Sequence, residues 1–130
     1  MILKIFIHLR TGNLIVARGK ILLIDSSFDN FKKTKIRPVL CLTNPIGKHD
    51  HVIVSFITSN TEEVLSSEII IHEESLSFIP SGLKKSSKIC LHKLITIPID
   101  SSKRELGSLS EIDLNLFIKK ITGIFNEHPR

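Results

Sequence analysis

The chain has 130 residues, of which 42% are hydrophobic and only 5% aromatic, with neither Trp nor Tyr. That length suits one domain around one core and excludes two of comfortable size, while a core built mainly from Ile, Leu and Val favours strands. The net charge of +5 suits a polyanionic or acidic partner, or else marks a basic surface with no dedicated partner, and two cysteines are too few for a disulfide framework.

Residues Met1 to Arg10 are apolar in character but interrupted by Lys4 and His8, and no small-residue cleavage site follows. The segment reads as neither a signal peptide nor a membrane span, which leaves the cytoplasm as the expected compartment and no membrane as a partner. The run Gly19 to Asp25 reads as a buried first strand, and the polar stretch Ser26 to Ile36 as a loop carrying the turn signal Asp29-Asn30. Arg37 to Thr43 reads as the second strand, because Pro38 biases Arg37 to extended geometry and is tolerated at a strand start. Asn44 to Gly47 forms a turn, and His51 to Thr58 returns as an antiparallel third strand.

Ser67 to His72 and Ser87 to His92 read as two more strands separated by a Pro80-Ser81-Gly82 turn signal, with Leu94 to Ile97 as a further one closed by Pro98. Short strands at this spacing suggest a small, partly closed barrel. Ser110 suits an N-cap with Asp113 three residues on, and Leu114, Phe117, Ile118, Ile121 and Phe125 then recur at helical spacing, a face that should pack on the barrel. The whole of residues 1–130 is expected to be a single, mainly β domain with a C-terminal helix.

Cys41 and Cys90 each sit in an apolar run and read as reduced core thiols. In His49-Asp50-His51 two histidines at i, i+2 lack an evident third ligand, so no metal is assigned there. There is no Walker-type glycine loop, nucleophile elbow or paired-cysteine site, which excludes the nucleotide-hydrolysis, ester-hydrolysis and zinc-finger signatures. Lys32, Lys33 and Lys35 crowd the loop ahead of Arg37 with Phe28 and Phe31 among them. Such a mixture tracks phosphates and stacks unpaired bases. The alternative is that both Phe side chains fold into the core and the lysines are merely solvated. His92 beside Lys93 is open in the same way, between a functional and a plain surface or core histidine.

Taken in order, the Gly-opened first strand, the variable loop, the Arg37-Pro38 strand, the strand ending Ile57-Thr58-Ser59, Gly82-Leu83 and Gly107-Ser108-Leu109-Ser110 before a final helix resemble the PemK/MazF toxins over residues 19–126. The resemblance implies an SH3-like antiparallel barrel of the CcdB/PemK kind, forming a homodimer and cleaving single-stranded RNA without a cofactor or metal. It further implies a type II toxin held inactive by a cognate antitoxin. Arg37 matches the family's loop-end arginine and Thr58 its strand-end threonine, the pair to which catalysis is assigned. Phe28, Phe31, Lys32, Lys33, Lys35, Ser59 and Lys93 are the expected RNA contacts.

The chain departs from the family pattern at Lys20, where many members have Asp, and at Lys93, where some have a Gln that touches RNA. These departures leave a non-catalytic RNA-binding or regulatory barrel as the second reading. A gyrase poison of the related CcdB type is a third, but it depends on a C-terminal Trp that this chain lacks.

Taken from the residues themselves, Arg37 and Thr58 also have a plain reading, a solvated charge and a β-former at a strand end. For RNA cleavage the guanidinium suits the charge that gathers on phosphorus, since its planar fork grips two phosphate oxygens. A threonine alcohol is a poor base, so its expected task is hydrogen bonding and orientation.

Overall fold

A computed structural model of the chain describes residues 16–25 and 35–127. Six antiparallel strands, β1 (Lys20–Asp25), β2 (Ile36–Cys41), β3 (His51–Thr58), β4 (Glu68–Ile71), β5 (Ser87–Pro98) and β6 (Ser102–Ser108), form one sheet in the order β4-β5-β3-β2-β1-β6. A one-turn helix, α1 (Phe78–Ser81), precedes β5, and α2 (Glu111–Phe125) closes the described chain. The mainly β class with a C-terminal helix is as expected. The sheet itself is open: β4 and β6 are its edges, and among the described residues no ladder joins them.

Side chains of a strand alternate between faces, and here both faces are apolar. Leu22 and Ile24 of β1, Val39 and Cys41 of β2, Val52, Val54 and Phe56 of β3, and Ile97 of β5 make one buried cluster. Ile21, Leu40, Ile57, Ile71, Ile89 and Leu91 point the other way, into a second cluster with Leu114, Phe117 and Ile121 of α2. Nearly continuous aliphatic runs are therefore what a sheet covered on both faces requires.

The two expected strands Ser87 to His92 and Leu94 to Ile97 are one strand, β5, broken by a bulge. Ser55 pairs with Leu94 but the next residue, Phe56, pairs with Cys90, so the ladder skips Leu91, His92 and Lys93. An odd number of extra residues reverses the alternation. Ile89 and Leu91 consequently face the second cluster, whereas Ile95 and Ile97 pack on the first. β6 was not expected as a strand, because Ser102-Lys103-Arg104-Glu105 lacks the β-branched signature. Its charges are those of an edge strand that blunts further pairing.

The helix begins where the sequence placed it, with the Ser110 Oγ accepting a hydrogen bond from the Asp113 N–H at 3.1 Å. Leu114, Phe117 and Ile121 are buried and Ile118 packs beside them, but Phe125 is 75% exposed. The fifteen-residue helix keeps Phe125 on the same azimuth and carries it beyond the core it packs on. Both cysteines are buried and unpaired, and burial pushes the Cys41 thiol up to about 12.

Two of the landmark glycines have one steric cause. The chain reverses after α1 at Gly82, whose φ is 74°, and lies directly on β6. A Cβ on Gly82 would stand 2.1 Å from the Leu106 carbonyl oxygen, and one on Gly107 would stand 2.1 Å from that of Pro80. Both obstacles are backbone. Gly107→Ala is therefore expected to destabilise the protein by about 3 kcal/mol, lowering Tm by roughly 10 °C. Thermal unfolding followed by circular dichroism measures this, and a shift under 2 °C would contradict the packing described.

Candidate active site

The first apolar face becomes polar at one end. Along β3 the row Val52, Val54, Phe56 continues to Thr58, and along β2 the row Cys41, Val39 continues back to Arg37. The β2–β3 ladder pairs Val39 with Phe56. Extending that register by two residues on each strand sets Arg37 opposite Thr58. On the far side of β3, Thr58 pairs with Lys88 and Phe56 with Cys90, and Cys90 in turn pairs with Glu68 of β4. Arg37, Thr58, Lys88, Cys90 and Glu68 thus share a face across four strands by alternation alone.

These residues line an open depression of about 580 Å³, together with Phe56, Ile57, Asn60, His92, Lys93, Leu94 and Ile95. Its charged groups are Arg37, Lys88 and Lys93 against the carboxylate of Glu68. The excess is cationic. Of the residues expected at the site, Arg37, Thr58 and Lys93 come together here. Ser59 and Lys35 are exposed and stand outside the lining. Phe28, Phe31, Lys32 and Lys33 lie outside the described residues.

Sequence reasoning missed Glu68, Lys88 and Asn60. Glu68 is 6% exposed, and its carboxylate is fully engaged. Oε1 accepts from the Leu65 N–H at 2.8 Å and from Lys88 Nζ at 2.9 Å, and Oε2 accepts from the Cys90 thiol at 3.3 Å. Burial alone would raise the Glu68 pKa. The hydrogen bonds from Leu65, Lys88 and Cys90, with the Lys88 charge, outweigh it and bring the pKa from 4.5 down to about 2. For the Cys90 thiol, burial and the adjacent carboxylate act together and push it up to about 11. Lys88 Nζ also donates to the Glu63 carbonyl at 2.6 Å. A glutamate opening an otherwise apolar strand, and a lysine two residues before a buried cysteine, were the available signals.

Two further contacts set the polar rim. The Thr58 Oγ1 accepts from the Asn60 N–H at 3.2 Å, which leaves the hydroxyl hydrogen available to a ligand. The Ser67 hydroxyl and His92 Nδ1 are 2.7 Å apart and hold the exposed imidazole at the edge of the depression. Lys20, the first departure from the family pattern, pairs with Glu105 at 3.2 Å and takes no part in the lining. Among the described residues no group of three or more His, Cys, Asp or Glu side chains is arranged to hold a metal, and His49 and His51 meet edge to face at 6.1 Å.

The sequence profile of the PemK-like, MazF-like toxins of type II toxin-antitoxin systems matches residues 17–125. The chain belongs to that family. Solved structures with the same fold include an endoribonuclease in complex with its cognate antitoxin from a mycobacterial species, at TM-score 0.62 and 15% identity over 88% of this chain and 99% of that one. They also include the Mycobacterium tuberculosis toxin MazF-mt6, at TM-score 0.62 and 23% identity over 85% and 99%. A second mycobacterial endoribonuclease aligns at TM-score 0.60 with 15% identity over 88% and 95%. No curated protein sequence matches. The chain is thus a type II toxin by family, and no helix of its described residues is long and apolar enough to cross a membrane.

The buried pair beneath this toxin's depression has a pH signature. A carboxylate whose pKa is depressed on folding contributes stability that is complete above its unfolded value and is lost as pH falls through its folded value. Glu68→Gln should therefore cost about 2 kcal/mol at pH 7, since it removes hydrogen bonds to a charged group. That deficit should shrink below pH 4.5 and vanish near pH 2. Urea unfolding of both proteins at pH 7, 4 and 3 measures it, and a deficit that does not change with pH would contradict the charge assignment.

Proposed function

We propose that this toxin is an endoribonuclease that cleaves single-stranded RNA, using the 2′-hydroxyl next to the scissile phosphate as nucleophile and no metal ion. The observation that carries the reading is the meeting of Arg37 and Thr58 at the polar end of one sheet face, on a cationic depression. The Arg37 guanidinium grips two oxygens of the scissile phosphate and offsets the charge that builds on phosphorus. Because its own oxygen already accepts from Asn60, Thr58 donates its hydroxyl hydrogen to the phosphate and orients it. Lys93 adds positive charge along the strand, and the loop residues Phe28, Phe31, Lys32, Lys33 and Lys35, with Ser59, extend the RNA contact.

The family and the fold support this reading, since two of the solved structures that share the fold are endoribonucleases. One of these is bound to its cognate antitoxin. An acidic antitoxin segment that competes with RNA for the same cationic surface is the matching partner here. The working form is a homodimer in the cytoplasm. Lys20 and Lys93 motivated a non-catalytic alternative; the ion pair of Lys20 with Glu105 leaves the depression untouched, while Lys93 lines it and adds a cation beside Arg37 and Thr58.

The test is incubation of the purified protein with long single-stranded RNA in EDTA, with fragment ends mapped. Cleavage is expected, yielding 2′,3′-cyclic phosphate and 5′-hydroxyl ends, and Arg37→Ala should slow it by roughly a hundredfold or more. Intact RNA across several sequences at high protein concentration would overturn the reading.

A further inference from the structure

We propose that His92 is the general base of the cleavage reaction, taking the proton of the attacking 2′-hydroxyl at its Nε2. This rests on the endoribonuclease reading above and assigns a step that Arg37 and Thr58 leave without a group.

The other polar groups on the depression are unsuited to accept that proton. Arg37, Lys88 and Lys93 are cations with donors and no lone pair, so none of them accepts a proton in the charged form. Glu68 is buried, both of its oxygens are occupied, and its affinity for a proton is too low for the task. The Cys90 thiol keeps its hydrogen, donates it to Glu68, and is buried as well. Thr58 has its oxygen turned to the Asn60 N–H, which makes it a donor towards the cavity. Of the described residues that line the depression, His92 alone carries an imidazole, and it is exposed.

Its placement comes from the bulge. The β3–β5 ladder skips Leu91, His92 and Lys93, so this stretch of β5 is released from pairing with β3 while the Leu91 N–H is held by the Ser67 carbonyl at 3.0 Å. The Ser67 hydroxyl at 2.7 Å from Nδ1 then fixes the ring. When Nδ1–H donates to the Ser67 Oγ, the lone pair of Nε2 is left for the substrate. Arg37 of β2 lines the same depression as the ring and there holds the phosphate.

In the step, the 2′-hydroxyl proton passes to Nε2 as the 2′-oxygen forms its bond to the neighbouring phosphorus. The bond from phosphorus to the 5′-oxygen breaks with its electron pair on that oxygen, which takes a proton from water. The imidazolium returns its proton to water, and a 2′,3′-cyclic phosphate and a 5′-hydroxyl remain.

The test compares wild type, His92→Ala and His92→Gln on single-stranded RNA, with affinity measured separately on a 2′-O-methylated RNA that cannot be cut. Both variants should bind within about twofold of wild type and cleave about a hundredfold or more slowly at neutral pH. Their log rates should climb with unit slope as pH rises, as hydroxide replaces the missing base, and added imidazole should partly restore His92→Ala. On an RNA whose scissile 5′-oxygen is replaced by sulfur, which needs no proton to leave, both variants should stay slow. Cleavage by His92→Ala within threefold of wild type would overturn the assignment, as would full recovery on the sulfur substrate, which would mark His92 as an acid. If wild type itself leaves RNA intact, the endoribonuclease reading fails along with this one, so the two failures are told apart by the wild-type lane.

Discussion

The ladder between β2 and β3 is the constraint on which this molecule depends. It fixes Val39 against Phe56, and with that one pairing every second residue of both strands is assigned to the same face. Towards one end the face is Cys41, Val54 and Val52, all fully buried. Towards the other it is Arg37 and Thr58. A slip of one residue would exchange the faces of one strand, setting its first-cluster side chains against the second cluster and parting Arg37 from Thr58, so the core that stabilises the sheet also positions the polar pair. Nothing in the site needs a separate scaffold.

Beneath that pair, the Glu68–Lys88 contact and the Cys90 thiol form a small buried network in which both oxygens of the carboxylate are occupied. Burying a charge is costly unless it is paired and hydrogen-bonded. Here the pairing is intramolecular and complete for Glu68, so the cost is offset without reaching for the ligand. The consequence for function is electrostatic. Lys88 has its charge matched locally by Glu68, so this pair adds little to the attraction of the depression for a polyanion.

Much of this was legible in the residues. Ser110 and Asp113 marked the cap of α2, and its packing face was read correctly except at Phe125, where helical spacing fixes direction but not how far the core extends. The strand termini near Arg37 and Thr58 were readable because Pro38 and the apolar alternation bracket them. The bulge in β5 was not, since a reversal of parity in one strand and a gap between two strands leave the same pattern. Nor was β6, whose polar composition reflects its place at the edge of the sheet. Glu68 and Lys88 were missed because each is unremarkable alone, and only the pairing of β4 with β5, which is long-range information, makes them one interaction.

The central claim is that Arg37 and Thr58 act on one phosphate as a unit. The most direct measurement is a double-mutant cycle on the cleavage rate with Arg37→Ala, Thr58→Ala and the two combined. Residues that serve the same reacting group give losses that do not multiply. The double variant is expected to be slowed about as much as the worse single variant. A loss equal to the product of the two single losses would show that the side chains act independently and would contradict the site described.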